Sequence, residues 1–276
     1  MPLPFLNKTS NDITTKFLIL LFFLIKLTVD FIFSMSASDS QQEEQPEKIG
    51  SVEFEGGKYE LFLKKGDKYA QLYEVKGEDE ETFTVPASVN SDGEDYPVLG
   101  IAPRALRSSR VEKLVFAQDS QIKDLTKDAL YCHTLKRVVL PASIEKLSVG
   151  WCNFTLKLVD LTIADGNQNF IVEDKALYNT EKTILYHVAR NVKKFVVPSS
   201  VETIGSYAFE QCRRLHEIEF PADSRLQRID QWAFSHCGLN SIRFPKSLES
   251  IGYDAFFHTP RLESISFEDD AVLKQV

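Results

Sequence analysis

The chain has 276 residues, 43% hydrophobic and 26% charged, a composition that excludes a mainly disordered protein. Its formal net charge is -8, and residues 39–95 alone carry 16 acidic against 6 basic residues, so the acidity sits near the N-terminus. No face or segment is rich in Lys/Arg with interleaved aromatics, which argues against a nucleic-acid partner.

Residues 1–34 hold an uninterrupted apolar run from Phe17 to Ile25, preceded by Lys8 and Lys16 and followed by Lys26 and Asp30. A membrane span needs about 20 apolar residues, so this run is sized for the core of a signal peptide. Ser34, Ser36, Ala37 and Ser38 offer a cleavage neighbourhood. The segment reads as a signal peptide or N-terminal anchor, which puts the protein at the cell surface or outside the cell, touching membrane only through this segment. The alternative is a start at Met35 and a cytoplasmic protein. Residues 35–50 are polar and acidic without periodicity and read as a disordered linker.

Residues 51–100 form an N-terminal β cap. Tyr59, Leu61 and Leu63 alternate before the charged turn Lys64 to Lys68, and Tyr69, Leu72 and Tyr73 follow it, which predicts a hairpin.

From residue 101 to 276 one phrase recurs. Its clearest copy is IGSYAFEQCRRLHEIEFP from Ile204; IDQWAFSHCGLNSIRFP from Ile229 and IGYDAFFHTPRLESISF from Ile251 repeat it, and looser copies begin at Ile101 and Leu125. A spacing of about 22 to 25 residues predicts a leucine-rich-repeat solenoid, mostly β, whose turns bury their apolar sides by stacking. The strands read Val111/Leu114/Phe116, Leu135/Val138/Leu140, Leu156/Val159/Leu161, Leu215/Ile218/Phe220, Leu239/Ile242/Phe244 and Leu262/Ile265/Phe267. The pairs Ala208/Phe209, Ala233/Phe234 and Ala255/Phe256 are assigned to short helical or 3-10 segments. At residues 165–191 one turn is replaced by alternating residues from Phe170 to Val188 around a polar turn, predicting an inserted hairpin that projects from the solenoid. The chain stops in mid-repeat at Val276, so the end is expected to be truncated or covered by a partner.

These residues carry a resemblance. IGSYAFEQC, VPSSVETIG, the NQNFIVEDKALYNTEKT insertion and the GKYELFLKKGD cap resemble the BspA-like leucine-rich repeats of surface proteins from anaerobic bacteria and trichomonads. The resemblance covers about Val52 to Val276. It implies a cell-surface or secreted adhesin that binds extracellular-matrix proteins or partner cells. Many members also carry a C-terminal membrane segment or sorting signal, which is missing from this sequence.

No catalytic, cofactor or metal site is expected. The five His are scattered, and the pairs Cys132/His133 and His236/Cys237 lie turns apart, whereas zinc needs four convergent ligands. Cys132, Cys212 and Cys237 fall in one slot of the repeat and read as buried thiols, with a Cys212–Cys237 bridge left open in an oxidising compartment. The candidate binding face is the outward strand side, where Lys113, Lys136, Arg137, Lys157, Lys193 and Lys194 would align as a basic strip for an acidic glycan or matrix protein. Asn153-Phe154-Thr155 is a glycosylation sequon. The reading is a non-enzymatic binding protein; the alternative is an intracellular protein–protein interaction scaffold starting at Met35.

Overall fold

Ile242 and Phe244 alternate with the polar Ser241 and Arg243, as in the other turns, so one face of each short strand turns inward and the other meets solvent. The computed structural model describes residues 45–76, 81–269 and Lys274; the segment read as signal peptide or anchor, and most of the acidic linker, lie outside the described residues.

The cap opens with three antiparallel strands, β1 (Glu47–Phe54), β2 (Gly57–Lys64) and β3 (Asp67–Val75). Tyr59, Leu61, Ala70 and Leu72 make its buried side. β4 (Thr82–Val85) leaves the cap, while β5 (Ser88–Ser91) and β6 (Glu94–Ile101) return to it, β6 lying parallel to β3.

Each solenoid turn then supplies a longer strand and, on another side, a two-residue strand. The first turns give β7 (Lys113–Phe116), β8 (Asp124–Leu125), β9 (Arg137–Leu140), β10 (Lys146–Leu147) and β11 (Asp160–Ile163). β4, β7, β9 and β11 form one parallel sheet, so the strand ladder starts at Thr82, inside the segment assigned to the cap. Register pairs Val138 with Leu161 and Leu140 with Ile163. The inward triplet of this turn is therefore Leu158/Leu161/Ile163, two residues later than the expected Leu156/Val159/Leu161, and Leu158 is fully buried.

Residues 170–188 build β12 (Phe170–Glu173), β13 (Ala176–Asn179) and β14 (Ile184–Val188), an antiparallel meander. The expected projecting hairpin is instead woven into the stack. β14 runs parallel to β16 (Thr203–Ile204), which follows β15 (Lys194–Val196) and continues a sheet that extends through the two-residue strands of the later turns. β13 is a partition: Leu177 packs into the core of the N-terminal half, while Ala176 and Tyr178, on its other face, pack into the core of the C-terminal half. The remaining turns give β17 (Glu217–Glu219), β18 (Arg228–Ile229), β19 (Ser241–Phe244), β20 (Ser250–Ile251) and β21 (Ser264–Phe267), with β15 paired to β17 and β19 to β21.

Proline ends the strands because it has no N–H for the ladder. The carbonyls of Pro141, Pro198 and Pro245 then accept from the N–H three residues on, closing a turn. The Ala-Phe segments are turns; among the described residues no helix forms. The reason is local. Ala208, Glu210 and Cys212 donate to the carbonyls three residues before them, but Phe209 and Gln211 donate to Ala233 and Ser235 of the next turn. Left-handed residues at Tyr207 (φ 64°) and Gln211 (φ 59°) bend the backbone outward to permit this, so a continuous helical ladder is impossible. Inside, Phe209, Phe234 and Phe256 stack with centroids 4.8 and 5.0 Å apart. Burying each of the two innermost rings contributes about 1.5–3 kcal/mol. Close stacking demands Gly238, where an added Cβ would lie 2.2 Å from the Arg213 carbonyl oxygen.

Candidate functional site

The strand face is organised by register. Thr82, Lys113, Arg137 and Asp160 stand side by side across β4, β7, β9 and β11, at the ~4.8 Å spacing of neighbouring strands. Lys113 and Arg137 are thus neighbours, but Asp160 ends the basic row. Lys136 pairs with Glu112 at 2.6 Å and Arg137 with Glu81 at 3.0 Å. The Lys136 hydrogen bond, helped by the charges of Arg137 and Lys157, holds the Glu112 carboxyl below its usual range. Lys157 lies exposed ahead of β11. Lys193 and Lys194 belong to the other half, beyond the meander; the Lys194 ammonium contacts Glu219 at 2.6 Å and Glu217 at 3.0 Å, which raises its pKa.

Such exposed pairs add little stability. Their effect is on charge: the six cations are divided between two sheets, and three of them are compensated by carboxylates. Lys113, Lys157 and Lys193 make no ion pair among the described residues. The face is of mixed charge, with paired and unpaired cations side by side.

Between β11 and β15 the strand face is interrupted. A cavity of about 210 Å³ is lined by Val159 to Thr162, by Lys175 to Leu177 and by His187. A second, about 650 Å³, shares Lys175 with it and runs along Asn191 to Val196.

Beneath this break lies a buried polar cluster. Cys152 Sγ is 3.7 Å from His187 Nδ1, and Arg190 faces Glu210 from the end of the meander. A Cys–His pair is the arrangement of a nucleophilic thiol, but that chemistry needs a thiolate. Burial pushes the Cys152 thiol up to about 12, and burial, then the Arg190 charge, holds the His187 imidazole well below its ordinary value. Burial thus favours the neutral form of both, which is not the thiolate–imidazolium arrangement of an activated nucleophile. Among the described residues no group of three or more His, Cys, Asp or Glu is placed to hold a metal.

Asn153 is 6% exposed, and its amide nitrogen turns inward to Asp128 Oδ1 at 3.3 Å. Its Thr155 hydroxyl donates to the Cys152 carbonyl. The sequon is thus part of the turn's interior, and the folded chain does not offer that nitrogen to a glycan. Cys132, Cys152, Cys212 and Cys237 are all free and buried. Cys237 Sγ donates to the Cys212 carbonyl at 3.6 Å, so the two successive thiols form a ladder and are not bridged.

The turn face was not singled out from the sequence. Tyr207 stacks on Trp232 at 6.1 Å and 12°, and Phe257 leans on Trp232 at 4.9 Å. Phe257 is 38% exposed and Tyr253 75%. The available signal was the change of letters at fixed positions, from YAFEQ to WAFSH to DAFFH.

Parallel short strands, an inward apolar triplet per turn and an outward side free to vary define a leucine-rich-repeat protein. The chain belongs to the BspA type leucine rich repeat family, whose model matches residues 97–184 and 181–274 in six copies. Among solved structures it is similar to the pneumococcal vaccine antigen PcpA, with 16% identity, 83% of this chain and 86% of that one covered, and a TM-score of 0.49. It is also similar to a leucine-rich repeat protein from Eubacterium ventriosum (17% identity, 79% and 73% covered, TM-score 0.49). A third likeness is to a leucine rich cell surface protein from Faecalibacterium prausnitzii (14%, 83% and 99%, TM-score 0.34). No curated protein matches the chain.

Proposed function

We propose that this leucine-rich-repeat protein is a non-enzymatic adhesin, displayed on the cell surface or secreted, that binds matrix proteins, glycans or partner cells through its strand face. The observation that carries this reading is the row Thr82, Lys113, Arg137 and Asp160: the inward positions of these strands are uniformly apolar, whereas the outward ones change residue at every step and run from neutral through basic to acidic. A surface that holds its frame constant and varies its contacts is suited to recognition. The neutral Cys152–His187 pair supports binding over chemistry.

The test has two parts. Antibody staining of unpermeabilised cells should label the protein, and the purified chain should bind a subset of immobilised matrix proteins or cells in a saturable way. Staining only after permeabilisation, with no saturable binding, contradicts the reading.

A further inference from the structure

On the turn face of the last repeats, four side chains that are cationic or become so on protonation converge on one cavity. Arg213 follows Gln211, and its Nε donates to Gln211 Oε1 at 2.8 Å, which orients the guanidinium. His236 and His258 take the left-handed slot of Gln211 in the next two turns, at φ 53° and 49°. Their rings lie parallel, 5.2 Å between centroids and 3° between planes. Arg261 closes the far side, and the space among the four is about 300 Å³.

No carboxylate lines this cavity, and among the described residues none of the four side chains forms an ion pair. That contrasts with the strand face, where Lys136, Arg137 and Lys194 each have an acidic partner. Uncompensated positive charge gathered in a concavity focuses an attractive field for anions, here within a chain of net charge -8. The groups facing His236 are Arg213 from the preceding turn, His258 from the following turn and the apolar ring of Phe257. Burial first, then the charges of His258 and Arg213, keeps its imidazole below the ordinary value. Two stacked imidazoles repel once protonated, and an anion beside them offsets that repulsion by attracting both.

We infer that the cavity bounded by Arg213, His236, His258 and Arg261 is a binding site for a sulfate or phosphate group. Each guanidinium offers a planar fork of donors matched to a tetrahedral oxyanion. A neutral imidazole donates one N–H and a protonated one donates two, so the site strengthens as the pH falls. The volume is at the lower end of small-molecule sites, about 300–1,000 Å³, and takes the anionic group with part of whatever carries it. Two sources share this chemistry, a free inorganic anion and a sulfated glycan. The site stands on its own side chains; only the glycan source rests on the adhesin reading above.

The test is calorimetric titration of the full chain with inorganic sulfate, a heparin-derived tetrasaccharide and its desulfated counterpart, at fixed ionic strength. The sulfated tetrasaccharide should bind about tenfold more tightly at about pH 5.5 than at about pH 8. H236Q/H258Q should remove most of that affinity and its pH dependence; Gln is chosen because Gln211 occupies the same left-handed slot. R213Q/R261Q, at two exposed residues, should weaken binding at both pH values and serves if the histidine variant fails to fold. Equal affinity for inorganic sulfate identifies the free anion as the ligand, and preference for the tetrasaccharide identifies the glycan. No binding by either sulfated probe, or binding that survives both double variants, overturns the site. Neither result touches adhesion through the strand face, which K113E/K157E/K193E probes separately.

Discussion

Arg190 and Glu210 face each other at 3.8 Å beside the joint between the two halves of the solenoid, with side chains only 2% and 6% exposed. The distance is too long for a hydrogen bond. Arg190 Nε and Nη2 and Glu210 Oε2 have no partner. Arg190 Nη1 alone reaches a carbonyl, that of Ala208 at 3.5 Å.

A buried pair of this kind costs more to break than to replace. Arg190→Met should lower unfolding stability by about 3–5 kcal/mol, because it leaves the Glu210 carboxylate buried without a counter-charge. R190M/E210M should recover most of that loss. Denaturant unfolding of the three proteins decides it; a single variant within about 1 kcal/mol of the parent removes the pair from the joint's energetics.

His187 gives the fold a sensitivity to acid. Its folded pKa is depressed by burial and by Arg190, so the folded state resists a proton that the unfolded chain accepts. The stability it contributes is fully present above about pH 6.5 and declines as the pH falls towards the folded pKa. Glu210 works the other way: burial raises its pKa, so its contribution is present at low pH and is lost as the pH rises. Comparing the parent with His187→Gln isolates the first effect. The melting temperature of the variant should fall less steeply between about pH 6.5 and pH 4.5. Parallel curves would refute the assignment.

The four cysteines should be chemically silent in the folded protein. All are buried, and burial pushes the thiols of Cys152, Cys212 and Cys237 up, Cys152 to about 12. The thiolate is the reactive form. Iodoacetamide at about pH 8 should therefore leave the native chain unlabelled and should add four groups after unfolding in urea, as counted by intact mass. Labelling of native Cys212 or Cys237, or a mass two units low that signals a bridge, contradicts the thiol ladder.

The repeat was legible because each turn keeps the spacing Leu-x-x-Ile-x-Phe: Ile242 and Phe244 are buried as the strand's alternation requires, and Leu239, three residues ahead of Ile242, is buried in the turn that leads into the strand. The same simplicity hid the slip at Leu158. Leu156 and Leu158 are two residues apart, so either register satisfies the alternation, and only pairing with β9 distinguishes them. β13 defeated the pattern for another reason. Ala176, Leu177 and Tyr178 are consecutive and all buried, the mark of a strand covered on both faces and not of a projecting hairpin. The compensation of the basic strip depends on contacts distant in sequence, since Arg137 finds Glu81 from 56 residues away. The stacked imidazoles of His236 and His258 likewise exist only once two turns are in register.

The strand face is tested most directly by reversing the three cations that make no ion pair among the described residues. These are Lys113, Lys157 and Lys193, whereas Lys136, Arg137 and Lys194 are compensated by carboxylates. Binding of K113E/K157E/K193E to a matrix protein or cell that the parent binds should be measured by surface plasmon resonance across a range of salt. The reversal should weaken binding by at least about tenfold and flatten its salt dependence, while K136Q/R137Q/K194Q should change it much less. Unchanged binding by the reversed variant contradicts recognition through the strand face.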